Sequence, residues 1–351
     1  MTYLAGKMVL AIEAGAPNNG RGEDTTARVK QAWVRGGKYP YVSAQAVRRW
    51  IRDGMVEQGA VPSPVTRVGK AQGRAQKANT AADPIKYADD DLFGYMKAGA
   101  KKDDAATTLR DSPFLMGTLL SVAPVRPTQD FGVMSRGVIE PVLHGHEFYS
   151  TDLAAPFLLD VPRIGTFTMP NTDGVGRPNY LTKEQALAVA DAAAAGATDV
   201  LFRDQPALRL PLEVRRERAA LLLEAIAGLS GGAKQALHYG DRIPSLLVLI
   251  PFAGGINPLA NVIDGDEEGL RIRGSVLQRE LAAWQGEWEA PVRIGWRPGF
   301  RDDLREEFDK QCAAELADGT IVIDHPRTVL RDLAGELRSG QRDAWFDDPA
   351  R

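Results

Sequence analysis

The sequence predicts an α+β fold, and three observations predict it. Two segments, Met8–Glu13 and Ser245–Phe252, are apolar and strand-compatible; two others, Val42–Arg52 and Glu213–Leu229, carry apolar residues at helical spacing. Glycine- and proline-rich breaks separate these from their neighbours.

The first strand, Met8 to Glu13, is broken by Gly15, Pro17, Asn18, Asn19, Gly20 and Gly22. After that loop Ser43 can cap a helix whose Ala46, Val47, Trp50 and Ile51 share one face, with Arg48, Arg49 and Arg52 turned from it and Gly54 as its end. Pro113–Ala123 is the second strand, closed by Pro124, and Phe157–Met169 the third. Glu213–Leu229 places Leu222, Ile226 and Leu229 in one stripe and stops at Gly231-Gly232. Ser245–Phe252 holds five consecutive aliphatic residues, Leu246 to Ile250, as a central buried strand requires. The order strand, helix, strand, strand, helix, strand is the split βαβ arrangement, βαββαβ, of ferredoxin-like and RRM-like (RNA-recognition-motif) folds.

Two insertions interrupt this order. Residues 55–111 are rich in Ala, Lys, Gly and Asp and should form a basic, partly mobile insertion. Residues 170–212 open on Pro170, Asn171, Asp173, Gly174 and Gly176 and pass through an alanine-rich stretch, Ala186–Ala197, of high helix propensity. The expected division is therefore 1–54, 112–169 and 213–262 for the core, 55–111 and 170–212 for the insertions, and 263–351 for an extension packed on the core. That extension should add strands at Val292–Trp296 and Thr320–Asp324, and helices at Phe300–Leu316 and Thr328–Leu337.

With 351 residues, 44% hydrophobic and 25% charged, the chain has the composition of a soluble globular protein. One cysteine, Cys312, excludes an internal disulfide and points to a reducing, cytoplasmic setting. No apolar run approaches membrane-spanning length, so no membrane partner is expected. The net charge of −3 hides an uneven distribution. Arg21, Arg28, Lys30, Arg35, Lys38, Arg48, Arg49 and Arg52 face only Glu23 and Asp24 in their segment, whereas acids dominate from Asp264 onward. A bound polyanion belongs on the N-terminal side.

Catalytic and cofactor chemistry is not evident, and the chain is read as neither an enzyme nor a metal or cofactor protein. His144-Gly145-His146 is the one local histidine pair, and zinc needs three or four ligands. Phosphate-binding loops of the Walker type, nucleophile elbows and dinucleotide fingerprints are absent from the sequence. Asp89-Asp90-Asp91 reads as a solvated acidic turn before Leu92.

Single-stranded RNA is held through its phosphates by Arg and Lys, with Ser, Asn and Gln fixing register. Asn18, Asn19, Arg21, Arg28 and Lys30 lie in the first loop, and Ser43, Gln45, Arg48 and Arg49 at the start of the first helix, where free amides also favour an anion. Composition leaves two readings equally open: a phosphate-binding surface or a solubilising face.

Several stretches resemble the backbone, or major crRNA-binding, subunit of type I CRISPR Cascade, in its type I-B branch, the DevR-type autoregulator family. They are Tyr-Val-Ser-Ala-Gln-Ala-Val-Arg-Arg-Trp at 41–50, Asp-Leu-Phe-Gly-Tyr-Met at 91–96, and Arg-Asp-Ser-Pro-Phe at 110–114. His-Glu-Phe-Tyr at 146–149, Arg-Ile-Gly-Thr-Phe at 163–167 and Leu-Ser-Gly-Gly-Ala-Lys-Gln at 229–235 follow in order.

This resemblance implies a hand-shaped protein with a recognition-motif palm, a helical finger at 55–111 and a β-hairpin thumb within 170–212. Copies would stack in a helical filament along crRNA and present its guide to a target DNA strand. Other Cascade subunits would join them: a 5′-handle-binding subunit, a large subunit and small subunits. Lys234 and Gln235 would approach the RNA, and Phe167 and Met169 would serve the thumb as base wedge. The aromatic strand pair of better-known recognition motifs is missing, so stacking on the sheet is not implied. A different class, the type III backbone subunit that cleaves target RNA with a loop aspartate, would assign Asp24; a DNA-binding regulator would need a second helix at helix-turn-helix spacing after 43–52.

Overall fold

The computed structural model describes residues 1–20, 22, 26–68, 77–97, 108–134, 137, 140, 142–168 and 196–348. Its centre is a mixed sheet built on β1 (Tyr3–Gly15), which runs antiparallel to a strand on each side. The remaining elements that position the site are β2 (Gln31–Val34), β3 (Gly37–Val42), α1 (Ala44–Glu57), α2 (Ala88–Phe93), β4 (Leu119–Ser121), β5 (Thr128–Met134) and β6 (Val142–Asp160). After them come α3 (Leu212–Ala227), β7 (Leu246–Phe252), β8 (Val292–Trp296), β9 (Ile321–Asp324) and α4 (Pro326–Arg338). Strands lie in the order β9-β8-β7-β1-β6-β4-β3-β2.

Within that order β7-β1-β6-β4 is the split βαβ core, since the strand following α1 and the strand preceding α3 interleave. The fold is α+β. Every residue of β7 is buried, as its unbroken aliphatic run dictates. Burying each Leu or Ile of this kind stabilises the fold by about 1.5–3 kcal/mol. Trp50, Ile51, Leu222, Ile226 and Leu229 join β1 and β6 in one core, with α4 completing it. Gly6 has a packing role: a Cβ there would lie 2.2 Å from Phe157 Cζ on the facing strand.

Several expectations are corrected. The third core strand is β6, not Phe157–Met169: Pro162 enters a 3-10 turn at Val161–Arg163, Gly165 takes φ +62°, and Thr166–Thr168 then pairs with Gln205–Arg209 in another sheet. Gly54 does not end α1, which runs on to Glu57, because Gly54 is where α1 approaches Ala225 of α3. Within 55–111, expected to be a helical finger, the described residues form two hairpins, Thr66–Val68 with Lys77–Asn79 and Tyr95–Lys97 with Thr108–Arg110, beside the short α2. The expected helix at 300–316 is two segments, Asp302–Gln311 and Ala313–Ala317.

The acidic turn is also corrected. Asp89, Asp90 and Asp91 are all buried, Asp91 completely. Asp91 takes an ion pair from Arg110 and one at 2.6 Å from Arg218 of α3, and accepts the Gly165 amide at 2.9 Å. Arg110 also donates to the Thr166 carbonyl at 2.7 Å, and Arg218 to those of Pro84 and Ile85 at 2.8 and 2.6 Å. One carboxylate thereby joins α2, Arg110, α3 and the segment after β6. Asp90 accepts from Ser63 Oγ at 2.7 Å and Asp83 N at 3.0 Å, and burial pushes the Asp89 carboxyl above its ordinary value.

Thr198–Phe202 and Gln205–Arg209 form a hairpin within 170–212, whereas Ala186–Ala195 lies outside the described residues. The segment from Asp264 is less acidic in effect than in composition: Asp264 pairs with Arg271 at 3.0 Å, and Arg293 with Glu336 at 2.7 Å. Its strands β8 and β9 continue the main sheet beyond β7. Among the described residues no helix is long and apolar enough to cross a membrane.

Candidate nucleic-acid interface

The basic N-terminal residues are held by the sheet. Lys30 N donates to Asn18 O at 3.1 Å and Gly20 N to Arg28 O at 2.8 Å, pairing residues 18–20 with residues 28–30. Tyr41 N donates to Lys30 O at 3.1 Å, and the Asn18 side chain donates to Tyr41 O at 3.1 Å, so this loop is stitched to β3 just before α1. Asn18 is thus buried and structural, while the Asn19 side-chain oxygen is buried with no partner among the described residues.

Where this loop meets β3 and the root of β5, an open groove of about 780 Å³ is lined by Arg28, Gln31, Lys38, Arg126, Gln129 and Glu147. Among the described residues, three cations and one carboxylate line it. The Glu147 carboxylate is already occupied, accepting from Val29 N at 3.0 Å and Gln129 Nε2 at 3.3 Å. A concave surface with low-dielectric walls and an excess of one charge concentrates its field in the groove, which suits a polyanion. Of the site residues read from sequence, Arg28 lies in the groove. Lys38, which belongs to the basic run but was not read as a site residue, lies there too; Gln31, Arg126 and Gln129 were missed, because β3 and β5 come together only through the sheet, and the Pro124–Pro127 punctuation was the local signal around Arg126.

The start of α1 divides by face. Ser43 caps the helix, accepting from Ala46 N at 3.4 Å, a contact of about 0.5–2 kcal/mol. Gln45 and Arg49 are exposed, and Arg49 Nε bonds Asp53 at 2.9 Å. Arg48 is half-buried: it donates to the Phe93 carbonyl and to Ser112 Oγ at 3.3 Å, and its guanidinium lies 5.5 Å from the Phe93 ring centroid. Burial and the neighbouring Arg52 lower its pKa. Its side chain fastens α1 to α2. Trp50 is buried against the loop that follows α3, as its place on the apolar face predicts.

Lys234 and Gln235 lie in that same loop, which is brought to residues 17–19 by Ala233 N donating to Pro17 O at 3.0 Å. Lys234 takes φ +57° and lies close enough to His146 to lower that imidazole's pKa, behind burial as the main cause. The Gln235 amide is used within the loop, donating to Gly231 O at 2.6 Å. Phe167 is 1% exposed, packed with Leu208 and Leu210 and 4.7 Å beneath the Arg110 guanidinium. A ring so enclosed has no face left to wedge a base, which corrects that expectation. Arg21, Asp24 and Met169 lie outside the described residues. No group of three His, Cys, Asp or Glu able to hold a metal occurs among the described residues.

Fold and groove together define an α+β protein of split-βαβ core with a basic concave surface where the first loop meets β3 and β5. No protein-family model matches this sequence, and no curated protein matches it. Among solved structures, a chain of a CRISPR RNA-guided surveillance complex is 12% identical, with a TM-score of 0.53 over 95% of this chain and 98% of that one. A chain of a CRISPR RNA-guided surveillance complex, pre-nicking, is 11% identical, again with a TM-score of 0.53, over 95% of this chain and 100% of that one. At such identities the likeness is one of fold.

Proposed function

We propose that this chain is a non-catalytic backbone subunit of a CRISPR surveillance complex of the type I-B kind, which binds crRNA, polymerises along it and presents its guide to a target DNA strand. The observation that carries this reading is the groove in which Arg28, Lys38 and Arg126 converge beside Gln31 and Gln129. Cations supply salt-dependent grip on phosphates, and amide side chains fix register. The fold likeness over 95% of the chain supports the same assignment. Copies of this chain would be the principal partner, with the 5′-handle-binding, large and small subunits at the filament's ends and flank.

The test is co-expression with a CRISPR array followed by purification. Guide-length RNA should co-purify with the wild-type chain and be lost from Arg28→Glu with Arg126→Glu. A wild-type preparation free of RNA, or a variant that retains it fully, would overturn the reading.

A further inference from the structure

The loop Gly231–Gly240 is fastened at several points. At its foot Gly231, with φ +121°, lies so close to Trp50 that a Cβ would sit 2.8 Å from the indole Cδ1. In its middle the Gln235 amide donates to Gly231 O and Gly240 O at 2.6 and 3.2 Å, and accepts from Gly240 N at 3.3 Å. Leu237 N and His238 N both donate to Lys234 O, at 3.0 and 2.9 Å, closing a turn between them. His238 points inward, its ring centroid 5.0 Å from those of both His146 and Phe148.

On either side of that inward ring the chain turns two large apolar side chains to solvent: Leu237 is 63% and Tyr239 86% exposed. Scattered exposed apolar residues are ordinary. These two differ in being displayed together on a fixed turn that carries Lys234 and is docked on Pro17 at the start of the first loop. Beside them His238 Nε2 and Asn19 Oδ1 are buried without partners among the described residues. An exposed aromatic face, a cation on the same turn and unmatched polar atoms are the parts that recognise an unpaired nucleotide: the ring stacks a base and the ammonium holds a phosphate.

We infer that Tyr239, flanked by Leu237, is the stacking platform for one unpaired base of the bound RNA strand, with Lys234 on a phosphate of that strand. This rests on the proposed function and adds to it the residue that contacts a base rather than the backbone. The bonds within the loop hold its backbone in place before RNA arrives, so little loop freedom is lost on binding.

The experiment uses the full chain and a single-stranded oligoribonucleotide at fixed ionic strength, comparing wild type with Tyr239→Ala, Tyr239→Phe and Tyr239→Trp. Tyr239 is exposed, so these variants should fold. Tyr239→Ala should weaken binding about tenfold with an unchanged salt slope, because a stacking contact is lost and no phosphate contact. Tyr239→Phe should bind as wild type does, and the indole of Tyr239→Trp should be quenched on binding. Equal affinity of wild type and Tyr239→Ala, with RNA bound by both, would overturn this inference alone. Failure of the wild-type chain to bind RNA would overturn it together with the proposed function.

Discussion

Asp91 on α2 and Arg218 on α3 meet at 2.6 Å across 127 positions of sequence, and both are buried. With Arg110 as the second cation on the same carboxylate, this joint fixes α2 and Arg110 to the core.

Removing that carboxylate strands two buried guanidinium groups. Asp91→Ala should cost about 3–5 kcal/mol in denaturant unfolding. Replacing Asp91, Arg110 and Arg218 together by apolar residues of similar volume should cost less than Asp91→Ala alone. An unfolding midpoint unchanged by Asp91→Ala would refute the joint.

Arg48 and Arg49 are neighbours with different work. Arg48→Ala should lower thermal stability through loss of its bonds to Phe93 and Ser112, whereas Arg49→Ala should leave it within about 0.5 kcal/mol, as exposed pairs do. Differential scanning calorimetry of both variants checks this. An RNA-binding defect in Arg48→Glu therefore has to be read beside a stability measurement, and Arg49→Ala is the cleaner probe.

The groove should behave electrostatically. Arg126→Ala should weaken RNA binding and reduce the slope of log affinity against log salt by about 0.7, the value for one single-strand phosphate contact. Filter binding across a salt series measures it; a parallel shift with no change of slope would mean that Arg126 touches no phosphate.

His146 makes the loop after α3 sensitive to acid. Burial, Lys234, His238 and His144 hold its imidazole below the ordinary 6.5, outweighing Asp130 at 3.6 Å. A folded-state pKa below the unfolded one favours the neutral ring, so its contribution is present above about pH 6.5 and is lost as pH falls further. Thermal melts from pH 7.5 to 5.5 should show a steeper decline for wild type than for His146→Gln. Equal declines would count against it.

Gly6 and Phe157 supply a packing test. Gly6→Ala should destabilise by about 1–3 kcal/mol, and Phe157→Leu should relieve part of that loss, because the new methyl would otherwise lie 2.2 Å from the ring.

The elements most legible in the sequence were those whose own residues decide their state. Leu246–Ile250 could be nothing but a buried strand, and Leu222 and Ile226 set α3 without help. The third core strand was misplaced because the first half of β6 is a partly exposed ribbon containing Gly145, while its apolar second half runs directly into Pro162. Asp91 was misread since nothing adjacent in sequence announces that Arg110 and Arg218 will bury it. The interface was half legible for the same reason: Arg28 belongs to a visible basic run, but Arg126 and Gln129 reach the groove only because β5 folds back on β6 beside it.

The length of β6 has a mechanical consequence. Its first half pairs with β5 and the short segment Thr26–Ala27, and its second half is laced to β1 from Thr151 to Asp160. The β5–β6 ribbon is therefore a cantilever whose root is the central ladder of the protein. Load applied near Val142 would be carried as shear along many backbone bonds at once, not as peeling of one bond after another, so the ribbon should resist being pulled away from the core.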